Sequence, residues 1–135
     1  MKRVVLAAAL AASIPAYAGD CKFEADGVWH TVEVFGGQGS GSCLTTVEQD
    51  GQITGLTCDF AEVVLRPSSL VTQNEDCTYG VELTYGVPII GQVVGMYLYN
   101  ARVSLDGSTM LGLGSAIWNG GENYKAPRTW IKVGK

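Results

Sequence analysis

The segment CLTTVEQDGQITGLTC, residues 43–58, places two runs of strand-forming residues on either side of Asp50-Gly51. An Asp-Gly pair between such runs is the strongest local signal for a β-hairpin. A second Asp-Gly pair stands in SLDGST, residues 104–109, and NGGEN, residues 119–123, has the composition of a third turn. Hairpins repeated along the chain predict an all-β fold.

Two registers are open for the first hairpin. A two-residue turn at Asp50-Gly51 places Cys43 opposite Cys58. A three-residue loop, with the glycine as a bulge, instead pairs Val47 with Ile53 and takes the cysteines out of register. We favour the first register, which predicts a Cys43–Cys58 disulfide.

The chain has four cysteines, and an even number in a small exported domain predicts two disulfides. Pairing Cys43 with Cys58 leaves Cys21 with Cys77. A zinc site is excluded by spacing, because no two cysteines form a C-x-x-C pair and His30 is the one histidine of the chain. We therefore predict no metal site and no cofactor.

Residues 1–18 have the organisation of a cleaved export signal. Lys2 and Arg3 precede an apolar run, Val4–Ile14, that is too short to span a bilayer. Ala16-Tyr17-Ala18 then gives the small residues that a signal peptidase requires. We predict cleavage near Ala18, a secreted or periplasmic location, and a single domain over residues 19–135.

Charge narrows the choice of partners. Cleavage removes two of the nine basic residues and none of the thirteen acidic ones. The mature chain then has seven basic and thirteen acidic residues, a net charge of −6. An acidic surface repels nucleic acid and anionic lipid, and we predict neither nucleic-acid binding nor membrane insertion.

The runs between turns are rich in Val, Thr, Tyr and Leu and predict about eight antiparallel strands. In TYGVELTY, residues 78–85, alternation places Tyr79, Val81, Leu83 and Tyr85 on one face. Closing such strands into one small barrel hides their edges. For two segments, Asp59–Leu65 and Ile89–Tyr99, a short helix is the alternative prediction. The predicted strands are Val28–Phe35, Cys43–Gln49, Gln52–Phe60, Glu62–Leu65, Cys77–Tyr85, Val93–Leu105, Thr109–Trp118 and Tyr124–Val133.

Gly27-x-Trp29, at the start of the first predicted strand, resembles the G-x-W signature of the lipocalin-like, or calycin, barrels. The resemblance implies that the tryptophan packs across the closed end of the barrel, against a cation from the last strand. PRTWIKV, residues 127–133, offers Arg128 or Lys132 for that contact. The other lipocalin signatures are missing from this chain.

No catalytic constellation is evident, and we predict that the protein is not an enzyme. His30 has no carboxylate at a fixed spacing and no serine or cysteine nucleophile tied to it. It lies either on the outer face of the first strand, if Trp29 points inward, or among buried valines. The glycine-rich stretch at residues 36–42 lacks the Gly-Lys-Ser/Thr of a phosphate loop.

Two binding functions remain open, beside a structural or envelope-associated role with no discrete ligand. The first is a binding barrel for a small apolar or amphipathic ligand, with Tyr97 and Tyr99 among the lining residues. The second is a periplasmic inhibitor or immunity protein that blocks a cell-wall hydrolase or another enzyme. Residues 114–135 are similar to the C-terminal part of periplasmic lysozyme inhibitors of the MliC type, although Ile117-Trp118 interrupts the motif.

For recognition of a protein we predict a patch at the tip of the last hairpin. Trp118 and Tyr124 flank its turn, and Arg128 stands at its rim. Aromatic residues framed by arginine are common in binding hot spots. The alternative is that both rings fold back over the open end of the barrel as a lid.

Overall fold

A computed structural model describes residues 21–34, 40–118, 121–122 and 125–135. The predicted export signal, residues 1–18, lies outside the described residues. The described residues form strands and one short 3₁₀ helix at Pro88–Ile90. The strands are β1 (Gly27–Val34), β2 (Ser40–Val47), β3 (Ile53–Cys58), β4 (Val64–Leu65), β5 (Leu70–Gln73), β6 (Tyr79–Val87), β7 (Gln92–Val103), β8 (Thr109–Trp118), β9 (Gly121–Glu122) and β10 (Ala126–Gly134).

The strands pair into one antiparallel sheet in the order β3-β2-β1-β10-β8-β7-β6, and β5 and β4 follow one another along the far side of β6. The sheet then meets itself between β3 and β5. There the amide of Val71 donates to the carbonyl oxygen of Gly51 at 2.7 Å, and the amide of Ile53 donates to that of Ser69 at 3.3 Å. The fold is thus a nearly closed barrel of eight main strands, as predicted.

The β2–β3 hairpin combines the two registers that the sequence left open. Cys43 lies opposite Cys58, and the same register continues to Thr46. A bulge then shifts the pairing, so that Val47 lies opposite Ile53. The predicted disulfides, Cys43–Cys58 and Cys21–Cys77, are both formed.

The described residues pack a core of buried side chains inside the barrel. The odd-numbered residues of TYGVELTY, Tyr79 to Tyr85, are all buried, as their alternation predicted. Trp29, Leu83 and Met110 are completely buried within the same core. Burial of this many large side chains is the main source of stability in a small domain.

Two local interpretations are corrected. Leu70–Gln73 forms β5, a strand that we did not predict. The run has only four residues and follows Pro67 and two serines, so its sequence resembles a loop. The alternative helix at Ile89–Tyr99 is wrong, because its first residues end a 3₁₀ turn and the rest belong to β7. No helix among the described residues is long and apolar enough to cross a membrane.

Candidate binding surface

Tyr97 and Tyr99 lie on the outer face of β7. Their neighbours in the strand, Met96 and Leu98, are buried in the core, so alternation turns the two tyrosines outward. Their rings stack with centroids 6.3 Å apart and planes 18° from parallel. The Nζ atom of Lys125 lies 4.5 Å from the centroid of the Tyr99 ring, a cation–π contact.

A groove of about 230 Å³ runs beside the two rings on the outer wall of β5, β6 and β7. Strand register brings its walls together, because Glu82 pairs with Leu70 on one side and with Tyr97 on the other. We call this feature the tyrosine groove. It is lined by Leu70, Thr72, Gly80, Val81, Glu82, Tyr97, Leu98 and Tyr99.

Gly80 leaves the floor of the tyrosine groove open. It pairs with Thr72 and faces outward, between the buried Tyr79 and Val81. A Cβ atom placed on Gly80 would meet no atom within 4 Å. The groove therefore exists where a side chain is missing from an otherwise continuous strand surface.

The apolar outer surface continues past Tyr99 onto β8 and β10. Leu113 pairs with both Tyr99 and Pro127. A second hollow of about 320 Å³ lies there, next to the β7 bulge that places Asn100 at a φ of 52°. It is lined by Asn100, Arg102, Leu111, Gly112, Leu113 and Pro127.

Two residues of the predicted patch at the last hairpin, Trp118 and Arg128, are described. Trp118 is half-buried and packs against the core. Arg128 shares the inward parity of the buried Trp130, and a Cβ on Gly114 would collide with its Cγ atom. Tyr124 lies outside the described residues. Tyr97 and Tyr99 are the predicted site residues that come together in space.

The floor of the barrel is closed by Trp29. Its indole nitrogen donates to the carbonyl oxygen of Ala25 at 2.9 Å, and its ring lies 6.4 Å from that of Trp130. The cation over the indole is Lys132, with Nζ 5.0 Å from the ring centroid. Lys132 pairs directly with Trp29 across β1 and β10. Arg128 lies four residues earlier in β10 and does not pair with Trp29.

A polar cleft of about 370 Å³ opens beside the Cys21–Cys77 disulfide at the same end. The hydroxyl of Tyr79 accepts hydrogen bonds from the amide of Glu24 at 2.8 Å and from Nε2 of Gln73 at 3.2 Å. Burial raises the pKa of this phenol, so Tyr79 stays neutral. The phenol therefore serves as a fixed structural tie between the N-terminal segment and β6.

His30 lies half-buried on the outer face of β1, where the inward position of Trp29 places it. Within the described ranges, its imidazole makes no hydrogen bond to a hydroxyl, thiol or carboxylate. Ser42 lowers the pKa of Asp59 through backbone and side-chain hydrogen bonds, and the charge of His30 adds a smaller effect. No cluster of three metal-binding side chains occurs among the residues that the structure describes.

Two groove residues could have been found from sequence. The alternation in TYGVELTY that places Tyr79 inside also places Gly80 and Glu82 outside. Leu70 and Thr72 carried no such signal, because β5 itself was not predicted. Tyr97 and Tyr99 were selected as lining an interior cavity, but the strand turns them to the outer wall.

Comparison with known proteins adds no relative: no family model matches the chain, and no curated protein or solved structure matches it.

Proposed function

We propose that this protein is an exported, non-enzymatic binding protein that captures a basic protein partner through the tyrosine groove. The observation that carries the proposal is a filled barrel interior beside an exposed aromatic groove on the outer wall. Two disulfides support the exported location, because such bonds persist in oxidising compartments.

The filled interior argues against a ligand held between the strands. A small molecule there would have to displace Trp29, Tyr85 or Met110, each of which is fully buried. The tyrosine groove, at about 230 Å³, is smaller than the roughly 300–1,000 Å³ of typical small-molecule pockets. It is better suited to one or two side chains of a larger partner.

Aromatic composition and charge favour a basic protein as that partner. Tyrosine is enriched in binding hot spots, because its ring contributes a large contact area at a small entropic cost. Glu82 supplies an exposed carboxylate in the groove and Lys125 a cation over Tyr99 at its edge, on a chain with thirteen acidic and nine basic residues. Complementary charge accelerates association with a basic partner and suppresses acidic ones.

The resemblance of residues 114–135 to periplasmic lysozyme inhibitors suggests a class of basic partner. Cell-wall hydrolases of the lysozyme type are basic enzymes that act outside the cytoplasm. A rigid, disulfide-linked barrel can cover such an enzyme without paying for loop ordering. Inhibition of a basic cell-wall hydrolase is therefore the specific activity that we propose to test.

The experiment uses two glycine variants of the same strand. Gly80→Val fills the floor of the groove with a side chain that meets open space. Gly86→Val is the matched control, because Gly86 also faces outward on β6 and its Cβ would meet only Gln92 O at 4.0 Å. Both changes suit a strand, so both variants should retain the melting temperature of the wild type or exceed it.

Lysozyme is the probe, measured by surface plasmon resonance and by cell-wall lysis. We expect Gly80→Val to weaken lysozyme binding at least about tenfold, whereas Gly86→Val binds like the wild type. A parallel capture from a periplasmic extract identifies other basic proteins with the same pattern. If Gly80→Val and the wild type retain the same proteins with the same affinity, the tyrosine groove is not the binding site.

A further inference from the structure

A broad face of the barrel, adjoining the tyrosine groove along β8, has no charged side chain among its described outward residues. It comprises the outward residues of four neighbouring strands, β2, β1, β10 and β8. Among the described outward residues of these strands there is no Asp, Glu, Lys or Arg. We call this face the uncharged wall: Ser42, Leu44, Thr46, Val28, His30, Val32, Pro127, Thr129, Ile131, Val133, Thr109, Leu111, Leu113, Ser115 and Ile117.

The uncharged wall is also the most apolar part of the outer surface. Ile131, Val133 and Leu111 are each about half exposed, at 48%, 57% and 54%. The strand register places residues of the wall side by side in rows. In one such row, His30 lies between Leu44 on β2 and Ile131 on β10. Contiguous exposed apolar surface on a small protein marks an interaction site.

We infer that the uncharged wall is the interface of a homodimer, in which a second copy of this chain packs face to face. The inference does not rest on the function proposed for the tyrosine groove, which is formed by other strands, β5, β6 and β7. Two-fold dimers are the commonest oligomers, and they require a surface that is complementary to itself.

Charge favours a second copy over another occupant. Among the described residues, charged side chains border the uncharged wall at its two edges: Arg102 pairs with Leu111 of β8, and the Asp59 carboxylate accepts hydrogen bonds from Ser42 of β2. In the part of the chain that the structure describes, a basic partner would find a carboxylate only at the β2 edge of the uncharged wall, where Asp59 bonds to Ser42. Two acidic copies can meet there without placing like charges opposite one another.

The size of the face is sufficient for a weak dimer. Four strands spaced about 4.8 Å apart, each contributing about eight residues of 3.3 Å, span roughly 19 Å by 26 Å. Laid flat, that corresponds to at most about 500 Å² per copy and about 1,000 Å² in total, the lower limit for a specific interface. Branched side chains on a twisted sheet pack face to face as in a β-sandwich. We therefore expect a dimer that forms at high micromolar concentration.

The test compares one substitution at each face. Thr129 is exposed at the centre of β10 and pairs with Leu111, and Thr129→Lys places a charge in the middle of the uncharged wall. Thr72→Lys is the matched control, because Thr72 is equally an exposed outward threonine, on β5 in the tyrosine groove. Melting temperatures establish that both variants are folded.

Sedimentation equilibrium from about 10 μM to about 1 mM gives the dissociation constants. We expect the wild type and Thr72→Lys to dimerise equally, and Thr129→Lys to raise the dissociation constant at least about tenfold. A wild type that stays monomeric to 1 mM, or equal dimerisation by all three proteins, overturns the inference. Monomers that bind phosphatidylcholine vesicles through a Thr129-sensitive surface would overturn it in favour of a lipid surface. Failure of lysozyme binding leaves the dimer inference unaffected, since lysozyme binding is tested at Gly80 on β6 and dimerisation at Thr129 on β10.

Discussion

The carbonyl oxygen of Gly51 accepts a hydrogen bond from the amide of Val71 at 2.7 Å, and this bond ties the β2–β3 turn to β5. Gly51 is buried and has a φ of 91°, in the left-handed region. A Cβ at this position would collide with the carbonyl oxygen of Val71. The residue that permits the hairpin turn therefore also permits closure of the barrel.

Gly51→Ala should reduce the free energy of unfolding by about 2–3 kcal/mol, since it combines an unfavourable φ with a steric clash. Gly107→Ala is the control, because Gly107 has a φ of 77° but its Cβ would meet open space. That variant should lose only the backbone component of about 1–2 kcal/mol. Urea unfolding measures both. Equal losses would show that the seam between β3 and β5 does not depend on Gly51.

A double-mutant cycle should detect the contact between Trp29 and Lys132. Trp29→Ala is expected to cost about 3–5 kcal/mol, because the ring is fully buried at the barrel floor. Lys132→Ala should be coupled to it by about 0.5–2 kcal/mol, given the cation–π distance of 5.0 Å. Arg128→Ala serves as the control and should be additive with Trp29→Ala. Coupling to Arg128 instead of Lys132 would contradict the observed packing.

The fold was predictable where local rules determine it, and the outer surface was not. Asp50-Gly51 and the two cysteines around it gave a hairpin and its disulfide, because turn type and cross-strand pairing act over short distances. The sequence could not show that a bulge at Thr46 and Val47 would reconcile both registers. That shift depends on where β3 meets β5, a contact between segments far apart in the chain.

The candidate site followed the same division. Alternation in β6 placed Gly80 and Glu82 outward, and the hairpin of β6 and β7 places Tyr97 beside Glu82. The other wall of the groove belongs to β5, a strand that the sequence did not predict. The tyrosines were therefore selected from the sequence as candidate binding residues, while the face they occupy and the groove beside them emerged only from the fold.

The β7–β8 turn should lose stability in acid. Side-chain hydrogen bonds from Ser104 and Ser108, and the Ser108 amide, lower the pKa of Asp106 from 3.8 to about 2. The folded state therefore binds this proton less tightly than the unfolded state, and the stabilising effect is present above about pH 4. It is lost progressively as the pH falls from 4 towards 2.

Thermal unfolding of the wild type and Asp106→Asn between pH 2 and pH 7 measures this effect. The melting temperatures should differ most at neutral pH and converge near pH 2. A residual slope in the variant is expected, because hydrogen bonds also lower the pKa values of Asp59 and Asp76. Parallel curves at all pH values would show that Asp106 does not contribute to the acid response.

Trp118 and Tyr97 should separate stability from recognition. Trp118 packs against the core at the open end of the barrel, so Trp118→Ala should lower the free energy of unfolding by about 2 kcal/mol. Tyr97 faces outward, and its ring covers Gly95. A Cβ atom added to Gly95 would lie 3.1 Å from the Cε2 atom of Tyr97. Loss of such cover on the outer wall should cost less than about 1 kcal/mol.

Tyr97→Ala should nevertheless weaken lysozyme binding at least about tenfold, whereas folded Trp118→Ala binds normally. The opposite pattern, an unchanged melting temperature with lost binding in Trp118→Ala, would move the recognition surface to the end of β8 and reject both the lid and the tyrosine groove.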